Sequence, residues 1–556
     1  MKLRLTSGEV FPFRPEDTIF SALKRAGIYL AAPCGAKGAC GKCRVRILEG
    51  GFSTDGFANL TANDRSSGIV LACMTRPESD LLIEVPKESL LVVGDRISVS
   101  GTKDLAKYLQ SYGAYIDPIG KTGSYGIAVD IGTTTIVVYF IDLKTGSIVD
   151  IGSTYNSQIR FGDDVITRII YATEGGGLQE LKDAVVSDIN ALIKTIMERH
   201  DIGPSEISAA VIAGNTVMSH IFWGLDTASI REEPYDPLMT RFPIWKASTA
   251  GLSMNPDAQV YTVPCVASYV GGDIVAGVLA SKLHLKEEIA LFMDIGTNGE
   301  IVIGNNEWLM TAACSAGPCF EGSGIKCGMR ATTGAIEAVR IDPVTLIPSL
   351  SVIGEGRPVG ICGSGMIDAI SEMLLTGIID QKGRLVEGRS ASTRRSEDGP
   401  EYVLFHDHKL HRDIVLTEVD IENILRSKAA IYGGISTLLS GAGLSMDTIN
   451  KVYIAGGFGN CLDVKKAIII GMLPDMPEEK FKFLGNTSIT GAYMCLMSAK
   501  LRNDAEVIAS RMTYIELSVS GMFMEEYISA LFLPHTDMNL FPTVAGLLKK
   551  REGSKF

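Results

Sequence analysis

Residues 129–135 read V-D-I-G-T-T-T and residues 293–299 read M-D-I-G-T-N-G, so the chain carries two copies of one motif. Each copy follows an apolar run and precedes another, which predicts a strand, a tight glycine turn and a second strand, with an acidic residue at the mouth of the turn. Gly132 and Gly296 let backbone amides approach an anion closely. One such hairpin is a common turn. Two copies 164 residues apart (130 to 294) indicate a duplicated half-domain that binds phosphate between its copies.

The polar residues of both turns suit a nucleotide with its metal ion. Asp130 and Asp294 provide carboxylates, which are hard oxygen ligands for a hydrated Mg²⁺ beside phosphates. The turns add backbone amides and polar side chains that donate to phosphate oxygens. We therefore predict that the phosphates are held by Gly132, Thr133, Thr134, Gly296, Thr297 and Asn298.

A third motif, K-V-Y-I-A-G-G-F-G at residues 451–459, predicts a buried strand that ends in glycines. In this order the three motifs resemble the phosphate 1, phosphate 2 and adenosine motifs of the acetate and sugar kinase, heat-shock chaperone and actin superfamily. The resemblance implies an ATP-binding, ATP-hydrolysing region made of two actin-like (ribonuclease H-like) halves. It also implies that Asp130 and Asp294 position Mg²⁺ and the attacking water, and that the adenosine is held by Gly456, Gly457 and Phe458.

The N-terminal region contains four cysteines in the spacing C-x5-C-x2-C-x29-C, namely Cys34, Cys40, Cys43 and Cys73. Thiolates at this spacing resemble those of a 2Fe-2S ferredoxin, in the variant with five residues between the first two cysteines. The interleaved glycines let the loop wrap around inorganic sulfide. A zinc site is the main alternative, but zinc ligands usually form two C-x2-4-C pairs and only one is present here. The ferredoxin resemblance implies a β-grasp domain.

Basic residues crowd the same loop: Lys37, Lys42, Arg44 and Arg46. Two interpretations stay open, a solvated rim and a docking patch for an acidic, low-potential electron donor.

Composition narrows the function classes. The net charge of −12 argues against a nucleic-acid partner. Residues 1–88 hold 12 Lys/Arg and 10 Asp/Glu, a net of +2, so the remainder carries −14. No uncharged apolar run reaches the ~18 residues needed to span a membrane, and the N-terminus lacks the apolar core of a signal peptide. We expect a cytoplasmic chain whose 11 cysteines are metal ligands or reduced thiols; a homodimer is compatible with this reading.

The motifs divide a multidomain α/β chain into four segments. We predict a 2Fe-2S ferredoxin-type domain at 1–88, a linker at 89–123, a first actin-like half (the middle domain) at 124–287, and a second actin-like half with the adenosine motif at 288–556.

Several features outside these motifs also carry expectations. Three thiols between Cys314 and Cys327 have spacings that fit no common metal set, which favours a flexible loop that contacts a ligand or partner. His220 is interpreted as a packing residue rather than a ligand. Residues 381–412 are charged and turn-rich, which indicates an insertion. The tail after residue 539 is expected to be loose.

A ferredoxin domain fused to this ATPase resembles the reductive activators of corrinoid proteins, the activating enzymes of corrinoid methyltransferase systems. The resemblance covers nearly the whole chain, and beside the motifs above its marks are G-N-T-V-M-S-H at 214–220 and A-G-P-C-F-E-G at 316–322. It implies that ATP supports transfer of one electron from the 2Fe-2S cluster to a cobalt(II) corrinoid protein, which restores cobalt(I) for methyl transfer.

Two other functions fit the same motifs. The first is a nucleotide-dependent iron-sulfur activator of another low-potential enzyme. Such activators usually hold a 4Fe-4S cluster between subunits, and the ATPase region lacks a matching C-x2-C pair. The second is a non-catalytic binding module in which ADP or ATP only sets a shape. A simple sugar or acetate kinase has no need of a ferredoxin domain.

Overall fold

A computed structural model describes residues 2–553 except for 15, 27, 29, 31–37, 39–40, 57–59, 61, 87–88, 90–104, 121–122, 163, 297, 355, 398, 407–412 and 457–461. Within these described residues, no helix combines the length and apolar character needed to cross a membrane.

The N-terminal domain is a five-stranded sheet, of order β2-β1-β7-β3-β5, with a helix on one face. Its apolar side chains form a core of their own, which includes Leu3, Leu23 and Val45. The elements are β1 (Lys2–Leu5), β2 (Val10–Pro12), α1 (Ile19–Arg25), β3 (Arg44–Glu49), β4 (Phe52–Thr54), α2 (Ala62–Ser66), β5 (Ile69–Leu71), β6 (Thr75–Pro77) and β7 (Leu81–Glu84).

The first half of the remaining chain is a six-stranded sheet, of order β10-β9-β8-β11-β13-β12. Strand β8 is almost entirely apolar because it lies mid-sheet with both faces covered. The elements are α3 (Leu105–Gln110), β8 (Tyr125–Ile131), β9 (Thr135–Asp142), β10 (Ile148–Tyr155), α4 (Val165–Thr173), α5 (Gly177–His200), β11 (Ile207–Gly214), α6 (Thr216–Trp223), α7 (Ala228–Arg231), β12 (Trp245–Lys246), α8 (Ala247–Ala250), β13 (Gln259–Thr262) and α9 (Gly272–Ser281).

The second half repeats this plan around a six-stranded sheet, of order β24-β23-β14-β15-β16-β25. Its elements are β14 (Ala290–Ile295), β15 (Gly299–Gly304), β16 (Leu309–Cys314), β17 (Ala335–Ile341), β18 (Pro348–Val352), β19 (Gly360–Ile361), α10 (Gly363–Thr376), β20 (Thr393–Ser396), β21 (Gly399–Phe405), β22 (Ile414–Thr417), α11 (Glu418–Gly441), β23 (Lys451–Ala455), α12 (Val464–Ile469), β24 (Phe481–Gly485), α13 (Thr487–Met497), α14 (Ala499–Arg511), β25 (Met512–Tyr514), α15 (Gly521–Ala530) and α16 (Pro542–Gly553).

The register of the two sheets shows the duplication. In the first half, β8 pairs antiparallel with β9 and parallel with β11. In the second half, β14 pairs antiparallel with β15 and parallel with β23. The two predicted hairpins are therefore the central strands of two equivalent sheets, and the predicted fold class, a ferredoxin domain with actin-like halves, is confirmed.

A third core lies between the two sheets, where helix α9 packs against helix α13. The helices approach closely because Gly491 has no side chain: a Cβ there would lie 2.4 Å from the Ala276 carbonyl oxygen. This core joins the halves directly behind the two hairpins.

The described part of the predicted linker packs onto the first half. The side chains of Leu109 and Ile119 are buried, and the Tyr112 hydroxyl donates to the Ala280 carbonyl at 3.0 Å. Residues 105–119 are thus continuous with the core between the halves.

The prediction of a loose tail is wrong. Residues 542–553 form α16, and the side chains of Phe541 and Val544 are fully buried against the second half. The apolar residues of this segment are spaced by three and four positions, which lets one helical face reach the core.

Charged residues near 400 form part of a small antiparallel sheet, β20-β21-β22, which adds the buried Tyr402 to the core of the second half. Residues 407–412 of the predicted insertion lie outside the described residues.

Candidate functional site

The two motif carboxylates lie at the ends of central strands; Asp130 is buried and Asp294 is partly buried. Asp130, near the end of β8, accepts hydrogen bonds from the Asn486 side-chain amide and the Ser488 hydroxyl, both at 2.7 Å. Both donors belong to the start of α13, so the second half holds the aspartate of the first.

Asp294 lies beside the start of the adenosine motif. It is paired with Ala455 of β23, and the next residue, Gly456, has a left-handed φ of 92°. A Cβ at position 456 would lie 2.7 Å from the Asp294 Oδ1 atom. A glycine is therefore required there to bring the adenosine strand against the second carboxylate.

Two further carboxylates complete an acidic cluster. Glu300 is the direct partner of Asp294 across the second hairpin, and Asp273 is in the first turn of α9. Burial and the charges of Asp294 and Asp130 raise the pKa of Asp273 to about 8. Burial and the charge of Asp130 raise the pKa of Asp294 to about 7.

The pKa values of the other two carboxylates in the cluster, Glu300 and Asp130, are also raised. Burial, then the charges of Asp273 and Asp294, raise the pKa of Glu300 well above its usual range. Burial raises the pKa of Asp130, while its hydrogen bonds with Asn486 and Ser488 oppose that rise. A cation bound among these carboxylates would lower their pKa values and stabilise their charged forms.

The donor set fits Mg²⁺ only in the presence of further ligands. Among the described residues, no group of three or more His, Cys, Asp or Glu side chains is arranged to hold a metal ion unaided. Mg²⁺ usually keeps several waters and binds one or two carboxylates together with substrate phosphates. Asp130 and Asp294 suit this second mode.

The first turn is held from behind by three polar side chains. The Asn156 amide donates to the Gly132 carbonyl at 2.9 Å, and the Asn215 amide donates to the Thr133 hydroxyl at 3.1 Å. The fully buried Arg168 guanidinium donates to the Thr133 carbonyl at 2.5 Å. These hydrogen bonds from the protein interior fix the conformation of the turn without a bound phosphate.

Glu321 extends this site from the second half. Its carboxylate accepts a hydrogen bond from the Thr134 hydroxyl at 3.2 Å. Glu321 is the sixth residue of the A-G-P-C-F-E-G stretch, which lies within the three-cysteine loop of residues 314–327.

That loop is packed rather than open. The side chains of Cys314, Cys319 and Cys327 are buried, and the Cys319 thiol donates to the Ser427 hydroxyl at 2.9 Å. His220 is likewise a packing residue, as predicted: it is fully buried, and Nδ1 lies 2.7 Å from the Thr216 carbonyl.

Several predicted site residues lie outside the described residues: Thr297, Gly457, Phe458, Cys34 and Cys40. Of the second turn, Gly296 donates its amide to the Asn298 carbonyl at 3.0 Å, which closes the hairpin.

Cys43 and Cys73, the two described cysteines of the N-terminal motif, lie next to each other in the structure. The Sγ atoms of Cys43, before β3, and Cys73, after β5, are 3.2 Å apart and both thiols are buried. Two thiols that converge from positions 30 residues apart fit two ligands of a shared iron site.

The neighbouring basic residues are engaged within the chain. Arg44 pairs with Asp64 at 3.3 Å, and Arg46 pairs with Glu84 at 3.1 Å. Lys42 contacts the second half, while Lys37 lies outside the described residues.

We expect the anaerobically purified protein to contain two iron atoms per chain, and its visible absorption to bleach on one-electron reduction. The reason is that four thiolates at this spacing match a 2Fe-2S cluster. Metal analysis with a parallel redox titration measures both quantities. Zinc in place of iron, or four irons per chain, would contradict the assignment.

Matches to known proteins extend over nearly all of the chain. Residues 4–78 match the 2Fe-2S iron-sulfur cluster binding domain, residues 125–286 match the RACo middle region, and residues 288–545 match the C-terminal domain of RACo, the ASKHA domain. The solved structure of a reductive activator for corrinoid, iron-sulfur protein is 40% identical, with a TM-score of 0.70, over 98% of this chain and 100% of that one.

Two curated relatives are similar along most of their length. The corrinoid activation enzyme RamQ of Eubacterium limosum is 29% identical over 92% of this chain and 95% of its own. A [Co(II) methylated amine-specific corrinoid protein] reductase of Methanosarcina barkeri is 25% identical over 73% of this chain and 76% of its own.

Proposed function

The chain belongs to the family of reductive activators of corrinoid proteins, and we propose that it passes one electron, with the support of ATP, to an inactive cobalt(II) corrinoid protein and so regenerates cobalt(I) for methyl transfer. The observation that carries this proposal is the 40% identity to a solved reductive activator over 98% of this chain, a similarity that spans the ferredoxin domain and both halves of the ATPase. When bound, the 2Fe-2S cluster supplies the electron and ATP hydrolysis supplies free energy.

The residue roles are proposals that follow from position. Cys34, Cys40, Cys43 and Cys73 would hold the cluster. Asp130 and Asp294 would hold Mg²⁺ and orient the attacking water, since the first is fixed by α13 and the second faces Gly456. The phosphates would be held by Gly132, Thr133, Thr134, Gly296, Thr297 and Asn298, and the adenosine by Gly456, Gly457 and Phe458.

The energetic need for ATP follows from redox arithmetic. Moving one electron uphill costs about 2.3 kcal/mol per 100 mV, so a gap of about 200 mV costs about 4.6 kcal/mol. Swinging a two-state equilibrium from 1:99 to 99:1 requires about 5.5 kcal/mol. Closure of two halves around a nucleotide supplies free energy of this size, which could act on partner binding or on cobalt ligation.

The remaining properties are proposals with less direct support. We propose the segment bounds 1–88, 89–123, 124–287 and 288–556, a cytoplasmic location, a low-potential electron donor and a homodimer as one compatible assembly. A location that keeps thiols reduced suits a chain with 11 cysteines.

We expect ATP hydrolysis to be slow in the isolated protein and to rise when a cobalt(II) corrinoid protein is added, because a free-running ATPase would waste its nucleotide. A ligand shifts a two-state protein only through differential affinity, so the cobalt(II) partner should bind more tightly than its cobalt(I) or methylated forms. Phosphate release measured with each form of the partner tests this.

Two outcomes would redirect the proposal. Nucleotide binding without turnover under any condition would favour the non-catalytic binding module. Stimulation by a low-potential enzyme that contains no corrinoid, with none by corrinoid proteins, would favour the other class of activator.

A further inference from the structure

One loop of the second half contacts both the first phosphate hairpin and the cluster loop. At one end, Glu321 accepts the Thr134 hydroxyl hydrogen bond at 3.2 Å. At the other end, the carbonyl oxygen of Gly328 accepts a hydrogen bond from the Lys42 ammonium at 3.1 Å, and the Lys326 carbonyl lies 3.5 Å from the same ammonium. Lys42 immediately precedes the cluster ligand candidate Cys43.

The two ends of this loop are in direct backbone contact. Gly322 has a left-handed φ of 88°, and a Cβ there would lie 2.5 Å from the Met329 amide nitrogen. A Cβ at Gly328 would lie 2.4 Å from the Gly322 carbonyl oxygen. Because no space separates the two segments, a backbone shift at residues 321–322 is transmitted to the backbone that holds Lys42.

The ferredoxin domain has a second contact, with the other half of the ATPase. The Lys24 ammonium on α1 lies 4.9 Å from the centre of the Phe161 ring and 5.9 Å from the centre of the Tyr171 ring. The domain therefore touches both halves, and both contacts use its lysines. The ferredoxin domain, residues 1–88, has a net charge of +2, and the rest of the chain has a net charge of −14.

We propose that this arrangement is a docked position of the ferredoxin domain, in which Lys42 is bound to the loop of residues 321–328, and that nucleotide phosphates at the first hairpin release it. The inference rests on the proposed nucleotide site and adds a regulation to it. ATP would free the cluster loop to approach the corrinoid partner.

The charges of the phosphate and of Glu321 explain why nucleotide should release the ferredoxin domain. A phosphate oxygen bound at the first hairpin would lie beside the Glu321 carboxylate, and the two anions repel each other at short range. Glu321 is thereby displaced, and the contact between Gly322 and Gly328 transfers that displacement to the acceptors of Lys42.

Cross-linking of the intact holoprotein tests the docked position. A short amine-reactive reagent is expected to join Lys42 to Lys326 in the absence of nucleotide. The yield should fall about fivefold or more, the lower end of a typical coupling between sites, on addition of Mg²⁺ and a non-hydrolysable ATP analogue. Lys282 and Lys286, which are close enough for the charge of one to act on the other, provide an internal control whose product should not change.

A variant that changes only the charge of Glu321 distinguishes the response to nucleotide from the docked position itself. Glu321→Gln keeps an acceptor for Thr134 and removes the repulsion, so its Lys42–Lys326 product should form normally and persist with the analogue. Glu307→Gln, on an exposed turn of the second half, is the matched control and should respond like the unchanged protein.

Calorimetric binding of the analogue distinguishes failure of this inference from failure of the proposed function. If the analogue binds and the cross-link is absent or insensitive to it, the docking inference is wrong while the nucleotide site stands. If the analogue does not bind at all, the nucleotide site on which the inference rests is itself refuted.

Discussion

Changing Asp294 to Asn should reduce ATP hydrolysis at least about a hundredfold and leave the visible spectrum of the cluster unchanged, an effect of the size expected when one electrostatic stabiliser of a transition state is removed. Asp294 is partly buried, close enough to Asp130 to feel its charge, and adjacent to Gly456 of the adenosine motif. The substitution preserves side-chain size and removes the charge proposed to hold Mg²⁺. Phosphate release and the cluster absorption, recorded on the same sample, measure the two effects.

Asp130→Ala should have the same outcome, with an additional cost in stability. The Asn486 amide and the Ser488 hydroxyl would lose their acceptor, and a buried donor without a partner costs about 1–3 kcal/mol. Thermal unfolding of this variant therefore has to be recorded beside its ATPase activity.

Asp142→Asn is the matched control for both variants. Asp142 ends strand β9 in the same sheet, and its carboxylate accepts two backbone amide hydrogen bonds in an exposed turn. Its ATPase activity should be unchanged. Normal turnover in both Asp130 and Asp294 variants would place the hydrolytic site elsewhere.

Removal of a cluster thiol should have the opposite pattern. Cys43→Ala and Cys40→Ala are expected to abolish reduction of cobalt while the affinity for ATP is retained, because the N-terminal domain has a hydrophobic core separate from those of the ATPase. Cys43 also lies 3.2 Å from the Cys73 sulfur, so its loss removes one of two converging thiols.

Cys265→Ala serves as the cysteine control. Cys265 is buried in the first half of the ATPase, in a different core from Cys43. Its iron content and cobalt reduction should match those of the unchanged protein. Persistent cobalt reduction in Cys43→Ala and Cys40→Ala would show that the electron reaches cobalt by another route.

The sequence predicts those parts of the site that depend on short stretches of neighbouring residues. Both D-I-G-T turns need a glycine between two apolar runs, and the structure forms both hairpins at the predicted positions. Asn215 directly precedes α6, and its side chain accepts the Met218 amide at 2.9 Å, the role that asparagine favours at a helix start.

Glu300 directly follows the second motif, and we predicted no role for it, although the sequence contained a signal. In a hairpin with a short turn, residues equidistant from the turn face each other, which pairs Glu300 with Asp294. The corresponding partner of Asp130 is Val137, so the two motifs differ at this position.

Arg168, Asp273 and Glu321 depend on contacts between distant parts of the chain. Arg168 reaches the Thr133 carbonyl across 35 positions, and Glu321 reaches Thr134 across 187 positions. No periodicity or spacing encodes such contacts, because they arise from tertiary packing, within the first half for Arg168 and between the halves for Glu321.

The cobalt(I) absorption of candidate corrinoid proteins, mixed with the reduced activator with and without ATP, tests whether ATP hydrolysis is coupled to electron transfer. We predict that cobalt(I) accumulates only when ATP and Mg²⁺ are present, and that neither Asp294→Asn nor Cys43→Ala supports it. Equal formation of cobalt(I) without nucleotide would contradict the coupling of ATP hydrolysis to electron transfer.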